Sequence, residues 1–130
     1  MIDVSCALII NHYGQVLAAQ RSSVMHLPLK WEFPGGKVEQ NESAEDCLIR
    51  EIREELGIEI SMLKKMTPSV YTQGKPVIRL IPFQCTWVGG QISLTEHAAF
   101  LWVSPAALHE LDWAEADLPV VKEYLDSLGL

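Results

Sequence analysis

The sequence predicts an α/β domain with a mixed sheet held between helices. Apolar residues at strand spacing alternate along the chain with apolar residues at helical spacing. A chain of 130 residues with 48% apolar residues has enough material for one core and too little for two domains of ordinary size. The expected organisation is a single domain over residues 1–130, without repeats, linker or low-complexity segment.

Ile2 to Ile10 and Gln15 to Gln20 read as two strands around a turn at Asn11 to Gly14, and a polar, proline-containing loop then reaches Trp31. A helix follows. Ser43 is its N-cap, with Asp46 three residues on in a variant of the capping box, and Gly57 is its stop. Leu48, Ile49, Ile52 and Leu56 share one arc of that helix and anchor it. Glu59 to Leu63, Val70 to Thr72 and Val77 to Val88 are further strands, with a turn at Gly74 to Pro76; Pro82 implies an edge or a bulge in the last of them. Gly89 and Gly90 read as a hairpin turn to Gln91 to Leu94, and Ala99 to Val103 is the final strand. Ser104 to Leu111, with Pro105 in its first turn, is a short helix and Leu118 to Leu128 a longer one.

A formal charge of −7 argues against a broad basic face for nucleic acid polymers. Free nucleotides remain open, because a few placed cations hold a polyphosphate whereas duplex binding needs many phosphate contacts. No apolar run reaches the roughly 18 residues of a membrane span, and Met1 leads directly into a strand pattern. The expectation is a cytoplasmic protein that engages no membrane, as a monomer or a weak homodimer. Cys6, Cys47 and Cys85 are odd in number, far apart and set in apolar stretches, which fits reduced core thiols.

Gly36 to Ile58, GKVEQNESAEDCLIREIREELGI, carries the chemistry. A glycine turn runs into the helix, where Glu51, Glu54 and Glu55 stand at i, i+3 and i+4 and so point the same way. Like charges that close repel unless a cation offsets them. Hard oxygen donors clustered in this way suit Mg²⁺, or Mn²⁺ in its place, with waters and substrate phosphates completing the shell.

These residues resemble the Nudix box: a glycine, five residues, a glutamate, seven residues, then REUxEExGU, where U is bulky and apolar. Gly36, Glu42, Arg50, Glu51, Ile52, Glu54, Glu55, Leu56, Gly57 and Ile58 match it without departure. Outside the box the chain is similar to MutT-like nucleoside triphosphate pyrophosphohydrolases at Arg21, at WEFPGGKVE from Trp31 to Glu39, at Glu96 and at ADLPVV from Ala116 to Val121. The resemblance implies the Nudix fold, a mixed sheet sandwiched between helices. It also implies Mg²⁺-dependent cleavage of a nucleoside triphosphate to the monophosphate and pyrophosphate. The implied task is nucleotide-pool cleaning in support of DNA repair, removing (d)NTPs such as 8-oxo-dGTP. Cleavage of CTP or modified dCTP, an ADP-ribose-type pyrophosphatase and a non-hydrolysing nucleotide sensor are the alternatives. The complete acid set argues against the sensor.

By the same resemblance, Glu51, Glu54 and Glu55 hold the metal, with a backbone carbonyl near Gly36 as a further ligand. Glu51 matches the catalytic base of MutT-like sequences, whereas other members use acids outside the box. Glu96 is the outside candidate, as ligand or base; on its residue type alone it is a solvated loop carboxylate. Glu42, Arg50 and Gly57 are structural within the motif. Arg21 resembles a phosphate-contacting arginine, Gly35 and Gly36 let the chain approach phosphate closely, and Lys37 meets phosphate or lies on the surface. Phe33 packs against a base or in the core, and Trp31, Trp87, Trp102 and Trp113 belong to core or rim. His12, His26, His97 and His109 lack metal-ligand spacing and read as loop or surface residues. Asp117 stands where MutT-like proteins carry an asparagine that reads the oxidised guanine. An ionised carboxylate only accepts hydrogen bonds, so it favours a base edge offering donors; capping of the terminal helix is its alternative role. A second arginine of the MutT type has no clear counterpart between Lys75 and Arg79.

Overall fold

In the computed structural model, which describes residues 1–130, the strands in chain order are β1 (Ile2–Ile10), β2 (Val16–Gln20), β3 (Trp31–Glu32), β4 (Gly35–Lys37), β5 (Ile58–Lys65), β6 (Ser69–Tyr71), β7 (Ile78–Gly90) and β8 (Ala99–Val103). The helices are α1 (Ala44–Leu56) and α2 (Leu118–Ser127), and 3₁₀ turns occupy Pro105–Glu110 and Glu115–Asp117. All strands join one sheet in the order β3-β2-β1-β7-β5, with β4 also on β1, β6 on β7 and β8 on β2. β1 and β7 run parallel, and every other pairing is antiparallel, so the sheet is mixed.

Alternation along β1 explains the layers. Ala7 and Ile9 face α1, where Leu48, Ile52 and Leu56 are fully buried. Cys6 and Leu8 face the opposite layer, built from Val120, Val121 and Tyr124 of α2 with Phe33 and Trp113. Each fully buried leucine or isoleucine contributes roughly 1.5–3 kcal/mol relative to exposure, so these stripes decide where the helices lie. The ends of α1 follow its expected caps. Ser43 Oγ accepts from the Asp46 backbone N–H at 3.0 Å, and Gly57 closes the helix in the left-handed region at φ 70°.

Five local expectations are corrected. Pro82 lies inside the sheet, on β7 opposite Cys6 of β1. Its carbonyl accepts from the Met66 N–H on the other side, where the neighbour of β7 changes from β6 to β5. The missing N–H therefore falls at a junction between partners and removes no ladder bond. Gly89 and Gly90 make no hairpin turn: they complete β7 opposite Glu59 and Ile58. Gln91–Leu94 is not a strand, because Ser93 N–H donates to the Leu56 carbonyl and the segment closes α1 instead. The turn after Ser104 is 3₁₀, and Asp117 precedes α2 without a side-chain capping bond. The three cysteines are free and buried, and no helix is long and apolar enough to cross a membrane.

Candidate functional site

Two glycines bring α1 against the sheet. Gly35 pairs with Cys6 and Gly36 with Ser5. A Cβ on Gly35 would fall on the Ser5 carbonyl oxygen, and one on Gly36 would meet the Glu51 carboxylate. Only glycine permits both approaches, β4 onto β1 and a carboxylate onto β4. Cys47 Sγ fills the space behind, 3.3 Å from the Lys37 carbonyl and 3.2 Å from Ser5 Oγ, which donates to it.

Arg50 organises the acids. It donates to both oxygens of Glu42 at 2.8 and 3.0 Å, and through Nη1 to Glu51 at 2.9 Å and Glu54 at 3.3 Å. This two-pronged pairing holds the Glu42 carboxyl down at about 2, helped by the Glu39 backbone N–H. Glu42 before the helix and Arg50 within it are thus paired through both carboxylate oxygens.

Glu55 differs from its neighbours. Burial, then a hydrogen bond and charge repulsion from Glu51, and then Glu32 and Glu96 push its carboxyl up to about 9. Its Oε2 is buried without a partner. Two carboxyls sharing one proton, one of them with an orphaned oxygen, suit a cation that would replace the proton. The donors do not converge: no three acids gather on one point, because Arg50 holds Glu51 and Glu54 aside, and Glu54 is 60% exposed. The donor set fits a hard divalent ion once the carboxylates turn from Arg50.

The segment after β7 places the remaining acid. The Thr95 hydroxyl and N–H donate to the last-turn carbonyls of Glu54 and Glu55, satisfying groups a helix end leaves open. This sets Glu96, exposed, and His97, buried, beside Glu55. The surface assignment of His97 is therefore wrong: its Nε2 lies 2.8 Å from Glu32 Oε2, and its side chain is 2% exposed. His12, His26 and His109 are exposed, as expected. Glu32 in turn accepts from Arg21 Nη1 at 2.7 Å, and Arg21 Nε donates to the His26 carbonyl.

A cavity of about 590 Å³ runs from these groups across the sheet. Arg21, Phe33, Gly35, Gly36, Lys37, Glu55, Glu96 and Asp117 all line it, whereas Glu51 and Glu54 do not. Phe33 is buried and stacks on Trp113 with centroids 4.6 Å apart, so its ring belongs to the core and to the cavity floor together. Trp87 and Trp102 stack on each other, at 5.6 Å. Asp117 is 6% exposed. Burial, the largest cause, and Glu32 raise its pKa well above the usual carboxylate range, while the Phe33 backbone and Arg21 pull it down. Burial thus favours the neutral acid, which has one donor and one acceptor, over the acceptor-only carboxylate of the sequence reading.

Sequence reasoning missed Glu32, His97, Tyr71 and Lys75, which also line the cavity. Glu32 had a signal: it is a lone charge between Trp31 and Phe33 immediately before the glycine pair. Arg79 turns away to Asp3, and Lys75 forms no ion pair.

The NUDIX domain model matches residues 1–124. The chain belongs to the Nudix hydrolase family. It is 35% identical over 125 residues to the CTP pyrophosphohydrolase of Escherichia coli K12, covering 96% of this chain and 92% of that one. It is 40% identical over 60 residues to the 8-oxo-dGTP diphosphatase of Proteus vulgaris, covering 46% and 54% of the two chains. The solution structure of the DNA mismatch repair protein MutT from methicillin-resistant Staphylococcus aureus 252 superposes with a TM-score of 0.78 at 41% identity, covering 97% and 96%. This Nudix hydrolase thus shares the mixed-sheet α/β fold of its relatives, as the sequence predicted.

Proposed function

We propose that the chain hydrolyses a nucleoside triphosphate to the monophosphate and pyrophosphate, acting on a modified or oxidised (d)NTP such as 8-oxo-dGTP. The observation that carries this reading is one cavity lined both by Arg21, Lys37, Glu55 and Glu96 and by Phe33 and the buried Asp117. The first set suits a polyphosphate with its metal, and Phe33 with Asp117 suits a base. Arg21, kept extended by Glu32 and the His26 carbonyl, meets phosphate oxygens, and Lys37 lies at the same mouth.

Glu51, Glu54, Glu55 and the Gly36 carbonyl would hold Mg²⁺, or Mn²⁺ in its place. The ion supplies charge neutralisation of the phosphates and a water of lowered pKa. Glu96 lines the cavity and engages in no ion pair, whereas Glu51 is held by Arg50, so Glu96 is the acid free to take the proton of the attacking water. Asp117 offers an O–H and a carbonyl oxygen side by side. That pair complements the O6 and N7–H edge of 8-oxoguanine.

The same pair complements the N3 and amine edge of cytosine. Similarity to a CTP pyrophosphohydrolase over 92% of that protein's length favours CTP or a modified dCTP as the second reading. The test is pyrophosphate release, with Mg²⁺ and with EDTA, from 8-oxo-dGTP, dGTP, 5-methyl-dCTP, dCTP, CTP, ATP and ADP-ribose. Metal-dependent turnover of one triphosphate far above the others supports the reading and names the base. Silence across the triphosphates with turnover of ADP-ribose refutes it. Glu54→Gln and Glu55→Gln are expected to abolish release, Glu54→Gln with an unchanged melting temperature and Glu55→Gln without lowering it.

A further inference from the structure

His97 joins two parts of the site that the motif leaves unconnected. Its Nε2 is 2.8 Å from Glu32 Oε2, and Glu32 Oε1 takes Arg21 Nη1 at 2.7 Å. Its Nδ1 has no partner, and it faces Glu55 Oε2 at 3.9 Å, which has none either; both atoms are buried. Buried polar atoms are nearly always paired, so two facing orphans mark a joint that closes when the carboxyl turns by a small amount. Oε2 is buried against the ring, which leaves the other Glu55 oxygen for Glu51 and the cavity.

We propose that His97 is a positioning residue that sets the Glu55 carboxylate with one ring nitrogen and, through Glu32, the Arg21 guanidinium with the other. This rests on the proposed function above, in which Glu55 holds the metal and Arg21 meets phosphate. The ring is rigid and 2% exposed. Its two nitrogens therefore hold the two groups at a fixed separation, and a shift in one is transmitted to the other. To serve both, the ring donates from Nε2 to Glu32 Oε2 and from Nδ1 to Glu55 Oε2, with a hydrogen on each nitrogen. An exposed or mobile histidine would not serve; neither would an apolar residue of the same shape, which would leave Glu32 with Arg21 alone.

Two substitutions separate the two nitrogens. The amide of glutamine reaches the place of Nε2, and the amide of asparagine the place of Nδ1. His97→Gln keeps the bond to Glu32 and removes the group facing Glu55. Mn²⁺ binding to the free protein, read by electron paramagnetic resonance, is then expected to weaken by ~10-fold or more, as for other partners behind a ligand, with KM near the wild-type value. His97→Asn keeps the Glu55 side and frees Glu32. KM for the triphosphate turned over fastest is expected to rise on the order of 10-fold, the effect of one charged hydrogen bond, with Mn²⁺ affinity near the wild-type value. Melting temperatures check that both variants fold. A merely structural role lowers stability, and moves KM and Mn²⁺ affinity together or not at all; either pattern overturns the assignment. Wild-type protein that holds no Mn²⁺ overturns the proposed function as well. Wild-type binding that neither variant changes overturns only the role of His97.

Discussion

Gly36→Ala tests whether this glycine is there to let a carboxylate close on the backbone. The added Cβ would press on the Glu51 carboxyl carbon and lie 2.6 Å from both its oxygens, against 3.4 Å or more for ordinary contact, so the carboxylate must retreat by about 1 Å. A misplacement of about 1 Å within a catalytic constellation costs on the order of 10²-fold in rate, or ~2.7 kcal/mol of transition-state stabilisation. The obstacle is the end of a side chain, which can move, so Tm is expected to stay within about 3 °C of wild type. Gly35→Ala is the contrast. There the Cβ meets Ser5 carbonyl oxygen and lies 2.7 Å from Cys6 Cα, on a central strand that cannot retreat. Overpacking of about 1–3 kcal/mol would lower Tm by roughly 5–10 °C. Pyrophosphate release at saturating Mg²⁺ and a thermal melt on each variant decide the matter. Wild-type kcat/KM in Gly36→Ala, or equal loss of stability in both variants, would refute the reasoning.

Ile52→Ala removes a fully buried side chain from the face of α1 that packs on β1, and is expected to cost ~2–5 kcal/mol in urea denaturation; a loss below 1 kcal/mol would mean the helix does not depend on that stripe. Asp117→Asn preserves one donor and one acceptor and is expected to keep base preference within about threefold, whereas Asp117→Ala loses it; equal discrimination in both would remove Asp117 from base reading. The Glu55 carboxyl, raised from 4.5 to about 9, makes metal-free folded protein bind more protons than the unfolded chain between those values. Stability in EDTA is therefore greatest below the unfolded value and falls as pH rises toward the folded one, by at most ~1.4 kcal/mol per pH unit. Glu55→Gln is expected to flatten that slope in urea titrations from pH 5 to 9, and parallel curves for the two proteins would dismiss it.

The parts of this molecule legible in the sequence are those whose determinants are local. Helix α1 was readable end to end because Ser43, the Leu48–Ile52–Leu56 stripe and Gly57 all lie within it, and its acid arc follows from helical spacing alone. The Gly89–Gly90 error has the opposite origin. Two glycines after an apolar strand look like a hairpin turn, but Gly90 is needed because a Cβ there would press on the Gly57 carbonyl, at the other end of β5, β6 and β7 in the chain. His97 was misread for the same reason: its burial comes from Glu32, 65 residues earlier. Asp117 lines the cavity, but the charge read for it from its residue type is disfavoured there. An ionisation state belongs to the surroundings, here burial and Glu32, and neither is visible from position 117.

A chain of net charge −7 that takes a polyanion must solve an electrostatic problem. One guanidinium, Arg50, serves four carboxylates: Glu39, Glu42, Glu51 and Glu54. Inside the cavity Arg21 is already neutralised by Glu32, leaving Lys37 and Lys75 as cations facing Glu55, Glu96 and Asp117. Burial disfavours charge on Asp117, and the Glu55 carboxyl keeps its proton up to about 9, so in the metal-free protein these lysines face Glu96 as the one ionised acid not already paired, and the cavity attracts a polyphosphate. A divalent ion that replaces the Glu55 proton brings two positive charges for the one negative donor it creates, and so keeps that attraction. An ionised Asp117 beside Glu32 would instead repel the substrate, which is why burial of this acid suits a site for a polyanion.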